Sequence, residues 1–295
     1  MFKEKLEKFL NKKSDKQKII VIYWPTASWK TSMSVEIAKS LETEIISTDS
    51  RQIFKHMDIW TAKITKKEME GITHHMIDIV SPDNNYSVWE FKNESEKIIS
   101  NLHKNKKIPI LAWWTWLYID SLIYWFNIPK VPADPELRKK LEDQASEFWK
   151  EYVYNSLLKL DPEYAKTLHP NNLNYVIRAL EIKMLTWKSK SEFIEEKIPK
   201  YDILFLTPYD HDRKKLYDRI NYRVDLMFND WLLEEVKLLL SKYNKTDFWM
   251  KTIWYEETIK YITWEITLEE AKELIKKNSR NYAKRQLTWF RKYKN

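Results

Sequence analysis

Ile19-Ile20-Val21-Ile22-Tyr23-Trp24-Pro25-Thr26-Ala27-Ser28-Trp29-Lys30-Thr31 is the stretch whose reading decides the fold. Ile19 to Tyr23 is an unbroken apolar run, as a strand buried on both faces requires. Beyond the loop, Met33, Ile37, Ala38 and Leu41 recur at helical spacing. The spacing predicts a strand, a tight loop and a helix, with Lys-Thr closing the loop. With Gly at 24 and 29 the loop would read G-x-x-x-x-G-K-T, the phosphate-cradling P-loop. The sequence has Trp at both places. Such a loop works through its backbone: successive N–H groups and the next helix N-terminus point at phosphate oxygens, which demands close approach and unusual dihedrals. Only Gly supplies both cheaply. An indole at Trp29 would fill the space a phosphate needs. Either this is no P-loop, or these letters do not stand for tryptophan.

Composition favours the second. The chain has 1 Gly and 15 Trp in 295 residues, against an ordinary Gly usage of about 7%, or roughly 20 residues. Many Trp stand where Gly is chemically expected: Trp113, Trp114 and Trp116 after the apolar run Ile108 to Ala112, Trp187 at a helix end, Trp231 after Asn229-Asp230, and Trp264 between two helical patterns. UGA codons that mean glycine in the source organism, translated as tryptophan, account for this. Trp289, inside a helical pattern, reads as a genuine tryptophan.

The chain can bury one large core, or a core and a smaller one. Its 43% hydrophobic fraction is ordinary, and no apolar run approaches the ~20 residues needed to cross a bilayer. Met1 to Lys13 alternates Lys and Glu around Phe2, Leu6, Phe9 and Leu10, which suits a short amphipathic helix and lacks the apolar stretch of a secretion signal. A cytoplasmic protein without membrane contact is expected. The absence of cysteine excludes disulfides and thiolate metal sites. A net charge of +8 and a pI near 9.1 favour a polyanionic partner.

After the first unit, Glu44 to Ser47 reads as a short strand ending at Thr48-Asp49-Ser50-Arg51-Gln52. Ligands of parallel α/β sheets bind beyond the carboxyl ends of the strands. A carboxylate there faces the same crevice as the loop, which makes Asp49 a catalytic candidate; an N-cap role is the plain alternative. His74 and His75 are adjacent, point in different directions and lack a third ligand at metal spacing, so they read as structural or substrate-loop residues. A helix over Val88 to His103 leads to a strand over Lys107 to Ala112. The sequence W-W-T-W-L-Y at 113–118 follows. Read as G-G-T-G-L-Y, it is a second strand-to-helix turn that sets Thr115 beside the first loop.

The middle changes character. Val131-Pro132-Ala133-Asp134-Pro135-Glu136 gives an extended lead-in, an Asp N-cap and a Pro at the first helical position. Helical patterns run over Glu136 to Lys150, Ser156 to Leu168 and Asn172 to Thr186, with no strand between. Tyr201 to Leu206 then returns to a strand pattern. The fold class is therefore α/β: a P-loop NTPase-like parallel sheet flanked by helices, formed by 1–130 and 200–295, with an α-helical insertion at 131–199. The last third is helical: Asp210 to Phe228 with Arg213, Arg219 and Arg223, Leu232 to Leu240, and a long helix opened by the capping box Thr267-x-x-Glu270. Lys276, Arg280 and Lys284 share one face of that helix, joined by Arg285, Arg291 and Lys292. A same-sign stripe makes most sense opposite phosphates, with a solvated basic face as the bland reading.

With Gly restored, ordered blocks along nearly the whole chain resemble the tRNA dimethylallyltransferase family. They are G-P-T-A-S-G-K-T at 24–31, I-I-S-T-D-S-R-Q-I-F-K-H-M-D-I-(G)-T-A-K at 45–63, H-H-M-I-D-I from 74, (G)-(G)-T-(G)-L-Y at 113–118, A-D-P-E-L-R at 133–138, H-P-N-N at 169–172, R-A-L-E at 178–181, T-I-(G)-Y at 252–255 and A-K-R-Q-L-T-W-F-R at 283–291. The resemblance implies transfer of a dimethylallyl group from dimethylallyl pyrophosphate to N6 of adenosine 37 in the tRNA anticodon loop. By the family's pattern, Trp24, Pro25, Thr26, Ala27, Ser28, Trp29, Lys30 and Thr31 bind pyrophosphate as a nucleotide-binding loop does, with Mg²⁺ held partly by Thr31. Asp49 takes the amine proton, Thr115 orients amine or donor, and Arg219 helps hold pyrophosphate, with Arg223, one turn on, ranked after it. Asp49, Ser50, Arg51, Gln52, Thr115, Arg138, Asn174, Arg178, Lys251, Tyr255, Lys284, Arg285, Gln286 and Arg291 match segments that touch tRNA. The protein is expected to act as a monomer. A small-molecule kinase with the same loop, or an inactive RNA-binding protein if the Trp residues are real, are the competing readings.

Overall fold

The computed structural model describes residues 2–23, 30–113, 115–125, 131, 133–193, 198–208, 212–229, 231–244 and 252–291, with backbone alone at 30 and 31. The chain forms two compact units, Met1–Tyr124 with Pro199–Asn295, and Trp125–Ile198. In chain order the elements are α1 (Phe2–Asn11), β1 (Lys18–Ile22), α2 (Lys30–Ser40), β2 (Ile45–Ser47), α3 (Lys66–Met69), β3 (His74–His75), α4 (Val88–Lys104), β4 (Ile110–Ala112), α5 (Trp116–Ile123), α6 (Pro135–Leu160), α7 (Pro162–Ala165), α8 (Leu173–Thr186), β5 (Asp202–Leu206), α9 (Arg213–Asn229), α10 (Leu232–Lys242), α11 (Tyr255–Ile262) and α12 (Leu268–Phe290).

The five strands form one sheet in the order β3-β2-β4-β1-β5, and every pair is parallel. Successive side chains of a strand point to opposite faces, and β1 serves both. Ile19, Val21 and Tyr23 pack with Phe91 and Ile99 of α4, Ile119 and Leu122 of α5 and Phe290 of α12. Ile20 and Ile22 pack with Leu6 and Phe9 of α1 and with Val35, Ile37 and Ala38 of α2. With both faces covered, the strand has no polar side, which is why the sequence shows no alternation there. The fold is thus an α/β, P-loop-like parallel sheet flanked by helices. A further core joins Ile53, Phe54 and Met57 to Val224 of α9, Val236 of α10, Tyr255 of α11 and Ile275 of α12. It holds the segment after β2 against the C-terminal helices.

The basic stripe of α12 does not all face outward. Lys276 Nζ lies 2.9 Å from the Asp225 carboxylate and 3.2 Å from Glu273, and Arg280 donates to Asn221 Oδ1 at 2.6 Å. Two residues of the stripe, Lys276 and Arg280, therefore bind α9. A helical wheel sees only its own element, so it could not anticipate these partners.

In the second unit α6 runs on to Leu160 but breaks its helical dihedrals at Phe148 and Trp149 (φ 72°, ψ 161°). Asp161 then caps α7, accepting from Tyr164 N at 3.3 Å with Pro162 at the first turn. The two helical patterns expected over 136–150 and 156–168 meet differently here, because a Pro at an N-terminus restarts a helix. Glu181 organises this unit. It is fully buried and takes Arg138 Nε at 2.7 Å, Arg138 Nη2 at 2.8 Å, the Asp134 amide at 2.8 Å and Arg178 Nη1. Burial pushes its pKa up, but these donors outweigh burial and hold it below the ordinary carboxylate value. Its stabilisation is therefore present at neutral pH and lost as pH falls through that lowered pKa. Glu181→Gln is expected to cost about 2 kcal/mol in a urea titration at pH 7, since breaking a buried pair strands its partners and both arginines keep some water. The difference should narrow on acidification.

Thirteen described non-glycine residues have positive φ, and six of them are Trp: Trp113, Trp149, Trp187, Trp231, Trp254 and Trp264, with φ from 60° to 94°. A bulky residue in that region is a steric outlier. Trp149 is the extreme case, since positive φ with ψ near 160° is essentially glycine's alone.

Candidate active site

Two strand ends build the site. At the end of β2, the Thr48 amide and hydroxyl both donate to Ala112 O of β4, at 2.7 and 2.9 Å, which ties the following turn to the neighbouring strand. Asp49 is buried. Its amide donates to Ser47 Oγ at 3.3 Å, and its Oδ1 accepts from Arg51 N at 2.8 Å, an Asx-type turn that fixes the carboxylate's direction. After β4, Thr115 N donates to Thr48 O at 3.0 Å, and Ser50 N donates to Thr115 Oγ1 at 2.9 Å. These bonds hold Asp49 and Thr115 in one constellation. Because Thr115 Oγ1 accepts there, its own proton remains to give.

The electrostatics centre on Asp49. Arg223 of α9 has its pKa pushed down to about 10 by burial, with the Asp49 charge pulling it back up. Arg51 is likewise lowered by burial, against the pull of Tyr282 and Asp49. Tyr282 of α12 is pushed up to about 12, by burial first and by the Asp49 charge second, and burial also raises Tyr118 of α5. Two guanidiniums around one carboxylate leave this crevice net positive, a setting for a polyanion.

The loop residues Trp24 to Trp29 lie outside the described residues, as do Trp114, Lys251 and the side chains of Lys30 and Thr31. What the structure does place is α2, which begins at Lys30 and carries no acidic residue in its first turn, so no carboxylate of that turn offsets its positive end.

The remaining expected residues divide. Ser50 and Arg51 are half-buried beside Asp49, and Lys284, Arg285, Arg291 and Asn174 are exposed. Arg219 is half-buried one turn before Arg223. Arg138 and Arg178 are committed to Glu181. Gln52, also expected to touch tRNA, is fully buried; it accepts from Ser47 Oγ at 3.0 Å and donates to Thr61 O at 3.2 Å. With both ends of its amide used internally, it braces a loop. Tyr255 is likewise fully buried, with its hydroxyl donated to Glu235 at 2.8 Å. Gln286 is buried beside Tyr282, to which it hydrogen-bonds. His75 bonds Glu44 at 2.7 Å and His74 bonds Ile72 O at 2.9 Å, a structural use of both.

Sequence reasoning missed Tyr282, Tyr118 and Glu235. Tyr282 and Gln286 stand one turn apart on α12, a signal that reading the helix by its charges passed over. Among the described residues, no group of three His, Asp or Glu could hold a metal ion, and no helix is long and apolar enough to cross a membrane.

A sequence model of the IPP transferase family matches residues 52–293. The tRNA dimethylallyltransferase of Acetivibrio thermocellus is 47% identical over 280 residues, covering 94% of this chain and 90% of that protein. That of Thermoanaerobacter sp. strain X514 is 44% identical over 282 residues, covering 93% and 89%. The crystal structure of the tRNA isopentenylpyrophosphate transferase of Staphylococcus epidermidis superposes with a TM-score of 0.69 at 40% identity, covering 95% of this chain and 92% of that one. A eukaryotic dimethylallyltransferase acting on tRNA superposes at 0.77 and 31%, covering 93% and 70%. With a model matched over most of its length and relatives this similar across nine-tenths of it, the chain belongs to the IPP transferase family, alongside the tRNA dimethylallyltransferases.

Proposed function

We propose that this protein transfers the dimethylallyl group of dimethylallyl pyrophosphate to N6 of adenosine 37 in the anticodon loop of tRNA, releasing pyrophosphate. The observation that carries the reading is the joining of the Asp49 carboxylate and the Thr115 hydroxyl at neighbouring strand ends, in a crevice made net positive by Arg51 and Arg223. The names of the relatives support the same transfer.

In this reading the N6 lone pair attacks the allylic C1, the C1–O bond breaks, and the electron pair leaves with pyrophosphate. Asp49 accepts the amine proton, and the Thr115 hydroxyl donates to hold amine or donor in line. Charge growing on the leaving group is met by the N-terminus of α2, by Lys30 and by Arg223. Arg223 takes this role ahead of Arg219 because it shares the crevice with Asp49. Thr31, in the first turn of α2, offers the hard hydroxyl oxygen that suits Mg²⁺, an ion content with one or two protein ligands plus substrate phosphates and water. When bound, that ion neutralises pyrophosphate charge. The target base leaves its stack to reach the site. Lys284, Arg285 and Arg291 meet tRNA phosphates, the second unit meets the anticodon stem-loop, and the enzyme acts as a monomer.

The reading also requires glycine at 24, 29, 113, 114 and 116, so the Trp there, and those at positive φ, are glycine in the protein its own organism makes. The intact mass of natively produced protein should then fall below the 36.1 kDa of the sequence as written.

Incubation with unmodified tRNA and either dimethylallyl pyrophosphate or ATP tests the function. Prenylated adenosine in the first mixture alone is expected; phosphoryl transfer from ATP to a small molecule would make it a kinase. Replacing Arg223 by Gln should lower kcat/KM for the donor, because the leaving group loses a buried positive partner.

A further inference from the structure

Residues 57–63 follow the Asp49 turn and contain no strand or helix, yet their main chain is held from two sides. From one side, Gln52 donates to Thr61 O. From the other comes Glu235 of α10, a buried carboxylate that serves three successive amides. Its Oε2 accepts from Asp58 N and Ile59 N at 2.8 Å each, and its Oε1 accepts from Trp60 N at 3.4 Å and from the Tyr255 hydroxyl at 2.8 Å. Burying a carboxylate is costly, and hydrogen bonds of this kind offset the cost only when several converge. What the arrangement secures lies at the other end of residue 60: Trp60 O accepts from Arg223 Nη2 at 3.1 Å. Glu235 and Arg223 thus grip the same residue through its amide and its carbonyl. Both contacts are to main chain, so they hold whichever side chain stands at 60.

We propose that Glu235 is a positioning residue for the prenyl donor: by fixing the amides of 58–60 it aims the residue 60 carbonyl, and through it the guanidinium of Arg223, into the crevice beside Asp49. This rests on the function proposed above. Glu235 touches no substrate in this account, and its effect should appear in donor binding, the step Arg223 serves.

Glu235→Gln keeps the size and one acceptor but gives up the charge, and it presents an amide donor to groups that also donate. Its KM for dimethylallyl pyrophosphate should rise about tenfold or more, as small misplacements of a positioning group do, while tRNA affinity stays at the wild-type value. Hydrogen exchange at the amides of Asp58, Ile59 and Trp60 should quicken. Adding Glu235→Gln to Arg223→Gln should raise KM no further than Arg223→Gln alone, because the two act through one path. Should Glu235→Gln not fold, Glu235→Asp, which keeps the charge one methylene short of the loop, carries the same readouts. A variant with a lowered melting temperature but unchanged donor KM, or fully additive effects with Arg223→Gln, would overturn the proposal. If the wild-type protein transfers no dimethylallyl group, the functional reading fails instead, and slow exchange at 58–60 still reports whether Glu235 holds the loop.

Discussion

Asp49→Asn should lose about two to four orders of magnitude in kcat, the usual worth of a general base, while binding tRNA as tightly as the wild type. The substitution is chosen for what it keeps. An amide oxygen can still accept from Arg51 N, so the turn that is sewn to Thr115 through Ser50 retains its shape. What disappears is the capacity to take the proton of the attacking amine. The removal of one negative charge between Arg51 and Arg223 makes the crevice more positive, so the KM for dimethylallyl pyrophosphate should not rise. Single-turnover assays with labelled donor measure the chemical step, and filter binding measures tRNA affinity. Retained turnover in this variant removes Asp49 from the base role.

Glycine at 149, 187, 231 and 264 should raise the stability of the chain as written by about 4 kcal/mol. These four indoles are 70–91% exposed, so removing them forfeits almost no burial. Each position has positive φ, where an L-residue with a side chain costs roughly 1–2 kcal/mol. Glycine returns part of that through its freer unfolded chain, by about 0.4–1 kcal/mol, leaving about 1 kcal/mol per site. For a protein near this size each kcal/mol moves the midpoint by roughly 2 °C, so the four together should lift the melting temperature by about 8 °C in calorimetry. Trp113 is different: it is buried in the core under α2, and a glycine there must trade relieved backbone strain against lost packing. An unchanged midpoint for the fourfold variant would show that these corners accept tryptophan without strain.

Much of the architecture was legible in the chain. Ile19 to Tyr23 is unbroken apolar sequence because both faces of β1 are covered, and a parallel strand so placed needs no polar side. The capping box at Thr267 and Glu270 marked the start of α12, and the structure has both of its reciprocal bonds, since a cap is satisfied within four residues. The neighbouring placement of Asp49 and Thr115 was legible for a related reason: each follows the end of a strand, and strand ends in such sheets point to one crevice.

What tertiary structure alone decided are the partners that arrive from far along the chain. Gln52 matches a segment that touches tRNA, and only the fold shows its amide bonded to Thr61 and Ser47. Lys276 and Arg280 read as phosphate contacts until α9 supplied Asp225 and Asn221. Which turn of α9 looks towards β2 is likewise a matter of packing, and helical periodicity is silent on that. Glu235, more than 170 residues from the loop it holds, carries no local mark at all. Local hydrogen bonds and hydrophobic period are written in neighbouring letters, whereas a buried charge finds its partner through packing, and packing belongs to the folded chain.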